Sequence, residues 1–170
     1  MLKKIFLKKY DFIFQFLFKT LILLIILFLL LSFVFKVHRA TGNTMSPYIR
    51  DGDLCIFYRM DKIYLNDIII YKDKDGKECM GRVIASRGQT VAFSKHGGYF
   101  VDGNQTVEEN PYKTYASKKK NVKYPLKLKN DEYFVLNDFR KITTDSREKG
   151  AISKSQIKGK LLFLMRRRGF

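Results

Sequence analysis

The alternation of polar and apolar positions divides this chain into two unlike parts. From Thr20 to Phe35 nearly every residue is apolar, and nothing after it is comparable. At the rise of an α-helix that run spans about 24 Å, short of a hydrocarbon core of ~30 Å. Carried back to Phe12, it takes in Gln15 and Lys19 and reaches about 36 Å, with Lys19 able to snorkel toward headgroups. After Lys36 the apolar residues come in short runs instead. Leu54–Tyr58, Ile68–Tyr71, Glu78–Ser86 and Glu132–Leu136 are rich in β-branched and aromatic residues and predict strands. Lys72–Lys77 reads as a polar hairpin turn between two of them, and Thr90–Phe100 as a strand pair around Gly97-Gly98. Glu108–Lys129 is polar and Lys-dense, with Lys118-Lys119-Lys120 at its centre, and predicts a solvated loop.

Charge gives the apolar run an orientation. Lys3, Lys4, Lys8 and Lys9 precede it, which predicts a cytoplasmic N-terminus; Lys36, His38 and Arg39 on the far side are the counter-signal. Phe35–Ala40 lacks the small-x-small pattern of a cleavage site, so the run predicts an uncleaved anchor. The plan is a basic cytoplasmic segment at 1–11, a single-pass transmembrane anchor at 12–36 and an extracytoplasmic β domain at 37–170. The chain has 170 residues, 46% of them hydrophobic, enough for one domain core beside the anchor. Lys and Arg number 33 against 16 Asp and Glu, a net charge of +17. No nucleic-acid recognition signature accompanies it, so an anionic membrane surface or cell wall is the expected counterpart, and Arg166-Arg167-Arg168 reads as a solvated or lipid-facing tail. Cys55 and Cys79 lie in apolar runs and read as free buried thiols, with a disulfide as the alternative. Neither a metal site nor a cofactor is expected.

The chemistry concentrates in Gly42–Asp53, a few residues past the anchor. Gly42 and Asn43 open a turn, Pro47 bends it, and Asp51-Gly52-Asp53 closes it into the strand at Leu54. The hydroxyl it presents is Thr44. The segment Thr44-Met45-Ser46-Pro47-Tyr48-Ile49, followed by Gly52-Asp53, resembles the nucleophile motif Ser-Met-x-Pro of the type I signal peptidase (S26) family. Further motifs follow in the family's order. Leu65-Asn66-Asp67-Ile68 resembles its Gly-Asp-apolar box, with Asn66 in place of glycine, and Asn tolerates the positive φ such a turn requires. Gly81-Arg82-Val83-Ile84 and Gly88 resemble Lys-Arg-Val-Ile-Gly-x-Pro-Gly. Val101–Gln105 resembles a family turn. Asn137-Asp138-Phe139-Arg140-Lys141-Ile142-Thr143-Thr144-Asp145-Ser146-Arg147 and Gly150 resemble Gly-Asp-Asn-Arg-x-x-Ser-x-Asp-Ser-Arg-x-x-Gly. Ile157–Phe163 resembles the closing strand.

The resemblance implies a mainly β fold, a signal peptidase I-like antiparallel β domain preceded by one transmembrane helix. It implies a substrate cleft at Gly42, Asn43, Thr44, Met45, Gly81, Arg82 and Thr143, and structural roles for Pro47, Asp53, Asp138, Arg140, Asp145, Ser146 and Arg147. It also exposes a loss. Thr44 stands where the family has its nucleophilic serine, and Gly81 where it has the lysine that takes the proton. Thr143 replaces a serine that bonds that lysine. Arg82 stays protonated at any working pH and is no substitute base. A positioned base contributes about 10²–10⁴ in rate, and nucleophile and base act as a unit. His38 is the nearest imidazole in sequence, and Cys79 the nearest thiol to Gly81.

The expectation is therefore a catalytically inactive homologue that binds secreted chains as an accessory factor. The resemblance implies surface pilus assembly in Gram-positive bacteria, with pilin-like partners beside a sortase and no nucleic acid. One alternative is an active signal peptidase using Thr44 with an atypical base. Another is a basic, membrane-tethered structural protein with no peptide cleft.

Overall fold

The computed structural model describes residues 2–107, 109–119 and 121–166, with side chains from residue 13 onward. The side chains of the N-terminal lysines, Glu108, Lys120 and the tail residues Arg167 and Arg168 lie outside the described set. The chain forms two units, residues 1–35 and 36–170.

The first unit is one helix, α1, Leu2–Val34. Within it Ile13–Val34, 22 residues, is long and apolar enough to cross a membrane. Its large side chains point outward, Phe14 and Phe28 each 70% exposed, as a helix apolar on all sides requires of its surroundings. The sequence reading carried the anchor to Lys36; the helix ends at Val34 and the chain turns extended.

The second unit opens within strand β1, Phe35–Arg39, whose first residue is the last of the first unit and for which the sequence reading had no strand. It continues through β2 (Leu54–Tyr58), β3 (Ile68–Lys72), β4 (Glu78–Ala85), β5 (Thr90–Phe93), β6 (Tyr99–Val101), β7 (Asn104–Gln105), β8 (Leu126–Lys127) and β9 (Glu132–Leu136). A short helix α2 (Ser146–Lys149), β10 (Ile152–Ser153) and β11 (Ile157–Met165) complete it. One sheet has the order β1-β2-β11-β3-β4-β9-β10 and the other β7-β6-β5-β8. The ladders from β2 through β10 are antiparallel. The mainly β, antiparallel domain behind one apolar helix is thus the fold the sequence predicted.

The unbroken apolar run of β3 has a physical reason. Ile68 and Ile70 pack with Met45, Ile49, Phe57 and Met80, while Ile69 and Tyr71 pack with Val83, Val135 and Ile152. A strand covered on both faces needs apolar residues at every position. A register shift in the β4–β9 ladder between Val83 and Ala85 then turns Ile84 and Ala85 into a third cluster with Val91, Phe134 and Leu136. Asn66 adopts φ +70° before β3, and its N–H donates to Val83 O at 2.8 Å, so the asparagine makes the turn expected of it.

Cys55 and Cys79 are both free thiols. Burial, and then the Asp53 carboxylate, pushes the Cys55 thiol up to about 11. Burial also raises Cys79, whose Sγ lies 3.8 Å from Asp73 Oδ2 and from Lys149 Nζ. Both thiols are therefore protonated near neutrality and poor nucleophiles.

Asp73 joins the β3–β4 turn to α2. It accepts from the Asp75 and Lys77 N–H groups and pairs with Lys149 at 2.5 Å. The Lys149 ammonium, foremost, holds its carboxyl below the usual carboxylate range. A depressed carboxyl contributes stability above its unfolded value, about 3.9 for Asp, and loses it as pH falls through the folded value. We expect the melting temperature of the intact protein to drop on acidification below about pH 4, and Asp73→Asn to flatten that dependence. Circular dichroism melts across pH 2 to 7 measure it; equal slopes for the two proteins would contradict the pairing.

Candidate functional site

The loop between β1 and β2 is anchored from within. Gly42 N–H donates to Asp51 Oδ1 at 2.7 Å, Ser46 N–H to Asn43 O at 3.1 Å, and Arg50 N–H to the buried Asp53 Oδ2 at 2.9 Å. Met45 and Ile49, each 1% exposed, fix the loop on the first cluster. The peptide between Ser46 and Pro47 is cis. Thr44 is half-buried, and its carbonyl accepts from Phe139 N–H at 2.9 Å, which joins this loop to the segment after β9. Among the described residues no side chain hydrogen-bonds the Thr44 hydroxyl.

That second segment is built on buried charge. Asp145 caps α2 through Arg147 N–H at 3.0 Å and accepts from Asn137 N–H at 2.9 Å. Arg147, 1% exposed, forks onto Asp145 at 2.7 and 2.9 Å and reaches the carbonyls of Arg140, Ile142 and Tyr115. Ser146 Oγ accepts from Val135 N–H at 3.0 Å, and Arg140 donates to Asn137 O. Arg82 grips Asp138 with two bonds of 2.8 and 2.6 Å and lies 5.2 Å from the centre of the Tyr48 ring. Asp53, Asp138, Arg140, Asp145, Ser146 and Arg147 thus frame the two loops.

Three cleft expectations need correction. Met45 is a core residue. Gly81 is buried too: a Cβ added there would lie 2.4 Å from Val135 Cγ1 and 3.3 Å from Leu136 O. Its partner across the β3–β4 ladder is Ile69, so position 81 faces the cluster of Ile69, Val83 and Val135. Thr143 is also displaced: its hydroxyl bonds Glu148, the first-turn acid of α2. His38 is committed as well, with Nδ1 at 3.5 Å from Glu78, which Lys36 also binds. The exposed part of the expected cleft is Gly42, Asn43 and the half-buried Thr44 and Arg82.

The open space begins beside them. A cleft of about 630 Å³ is lined by Pro47, Tyr48, Asn66, Arg82, Asp138 and the segment after β7. A second, of about 760 Å³, lies between that segment and the loop before α2, and Thr143 lines this one instead. The sequence reading missed Tyr48, Asn110 and Arg166 as lining residues. Tyr112 and Tyr115 among the lysines were the available signal that this stretch is more than a solvated loop.

The sequence profile described as "Signal peptidase, peptidase S26" matches residues 13–165. The chain belongs to the signal peptidase family. Signal peptidase I of Bacillus amyloliquefaciens is 29% identical over 80% of this chain and 78% of its own length. Signal peptidase I P of Bacillus subtilis subsp. natto is 31% identical over 77% and 76%. Signal peptidase IB of Staphylococcus aureus is 25% identical over 80% of each. A solved signal peptidase I from Enterococcus faecalis aligns with a TM-score of 0.48 and 25% identity over 60% of this chain and 98% of that one. In this signal peptidase family member, position 81 carries glycine and packs against Val135.

Proposed function

We propose that this protein is a membrane-anchored signal peptidase homologue that binds secreted chains and releases them uncut. The observation that carries the proposal is Gly81. Not only is the amine missing at the position of the family's base, but Val135 Cγ1 fills the place where such a side chain would start. Arg82 and Arg166 lie beside the motif loop, the latter donating to Tyr48 O at 3.0 Å, and an arginine does not accept a proton. The β-methyl of Thr44 further restricts its hydroxyl. The framing ion pairs persist, so a chain laid along the loop still meets an ordered surface. We assign the N-terminus to the cytoplasm and the β domain to the outer face, where pilin-like chains under assembly by a sortase are the proposed guests.

The competing reading is an active peptidase, favoured by the relatives, which are named signal peptidases. A photo-reactive residue at the exposed position Asn43 or Tyr48, in full-length protein, separates the two. We expect it to trap a secretory precursor at its full length. Trapping only a mature-length product would favour the peptidase, and trapping nothing would favour a tether without a cleft.

A further inference from the structure

The second cleft is unlike the first in charge. Its carboxylate, Glu148, is already taken by Lys119 at 2.7 Å, Ser117 at 3.2 Å and Thr143. Lys113, Lys118 and Lys141 line the same cleft, are exposed, and pair with no carboxylate among the described residues. Tyr112 and Tyr115 supply apolar wall between them. Tyr112 stands edge-on to Phe139 at 4.9 Å and carries the Lys141 ammonium 5.9 Å from its ring centre.

The loop that bears these lysines is irregular but pinned. Asn110 donates to Asp138 O at 3.0 Å and accepts from Tyr112 N–H at 2.9 Å, while Arg147 holds Tyr115 O at 3.3 Å. The basic rim is therefore fixed on the same buried scaffold as the motif loop. The two clefts share Pro111 and Arg140 as a common wall. A chain that leaves the motif loop over Pro47 and Tyr48 enters the first cleft and comes next to the second.

We infer that the second cleft docks an acidic segment, interspersed with apolar side chains, of an extended polypeptide held on the motif loop. The inference rests on the guest-binding reading above and adds the guest's chemistry. Exposed lysines around an aromatic wall complement carboxylates carried among apolar residues. Continuity with the motif loop makes the polyanion a polypeptide rather than a phosphodiester polymer of the envelope.

The test uses full-length protein in zwitterionic nanodiscs and two labelled synthetic peptides. Both carry the same apolar leader end; beyond it one has Glu, Asp and Tyr, the other Gln, Asn and Tyr. We expect the acidic peptide to bind about tenfold tighter at low salt, an advantage that disappears in ~1 M salt. The variant Lys113→Glu/Lys118→Glu/Lys141→Glu should bring the acidic peptide to the level of the amide peptide and leave the latter unchanged. Equal affinities on the unaltered protein would overturn the inference while leaving guest binding standing, and need no variant. An acidic preference that survives the charge reversal would overturn it too, by placing the contact elsewhere. So would polyglycerol phosphate binding that depends on the three lysines while the peptides show no acidic preference. Binding of neither peptide would overturn both the inference and the guest-binding reading.

Discussion

Arg147→Ala is expected to destabilise the β domain by about 3–5 kcal/mol, the cost of leaving one member of a buried ion pair without its partner. Asp145 is 0% and Arg147 1% exposed, so water cannot replace the lost bonds. The truncation strands the Asp145 carboxylate and removes a donor from the carbonyls of Arg140, Ile142 and Tyr115. Tyr115 and Arg140 line the second cleft, so the loss should loosen the site before the sheet melts. Urea unfolding of the full-length protein, followed by circular dichroism, measures the effect. A change below about 1 kcal/mol, the range of an exposed pair, would contradict the assignment of Arg147 as the anchor that holds Tyr115 and the segment after β9.

Gly81→Lys is the second large effect. Forcing atoms into a packed core costs about 1–3 kcal/mol, before the further cost of an ammonium placed among Ile69, Val83 and Val135. Because the clash is with Val135 Cγ1, Val135→Ala should relieve it. The double variant Gly81→Lys/Val135→Ala is expected to be more stable than the sum of the two single losses implies, by about 0.5–3 kcal/mol, the usual coupling of residues in contact. Additive losses would show that Val135 does not occupy the vacated space. The cycle also bears on any attempt to rebuild the catalyst: Thr44→Ser with Gly81→Lys alone would unsettle the core it is meant to repair.

Local pattern sufficed for some of these elements and not for others. β2, β3, β4, β5, β6 and β9 were legible because β-branched and aromatic runs, bounded by turn residues, leave few other conformations open; β7 and β8 were not, because they are two residues each and lie where the sequence predicts a turn and a solvated loop. The helix was legible because its apolar run is long enough to cross a membrane. β1 was not, because Phe35 continues the anchor's apolar run and nothing before Lys36 marks a break. The motif order located the loops at Thr44 and Arg140–Gly150. It misplaced Thr143, because Glu148 competes for its hydroxyl across a turn whose shape Arg147 sets. The burial of Gly81 rests on Val135, and the form of the Lys113–Lys119 loop rests on Asn110 and Arg147. Such contacts join residues that carry no local signature of each other.

Incubation of the purified, unaltered full-length protein with a secretory precursor, read by mass spectrometry over hours, tests the central claim most directly. The claim predicts that the precursor stays at its full mass and is recovered in complex with the protein. A mature-length product that forms with this protein, and does not form with Thr44→Ala, would contradict it.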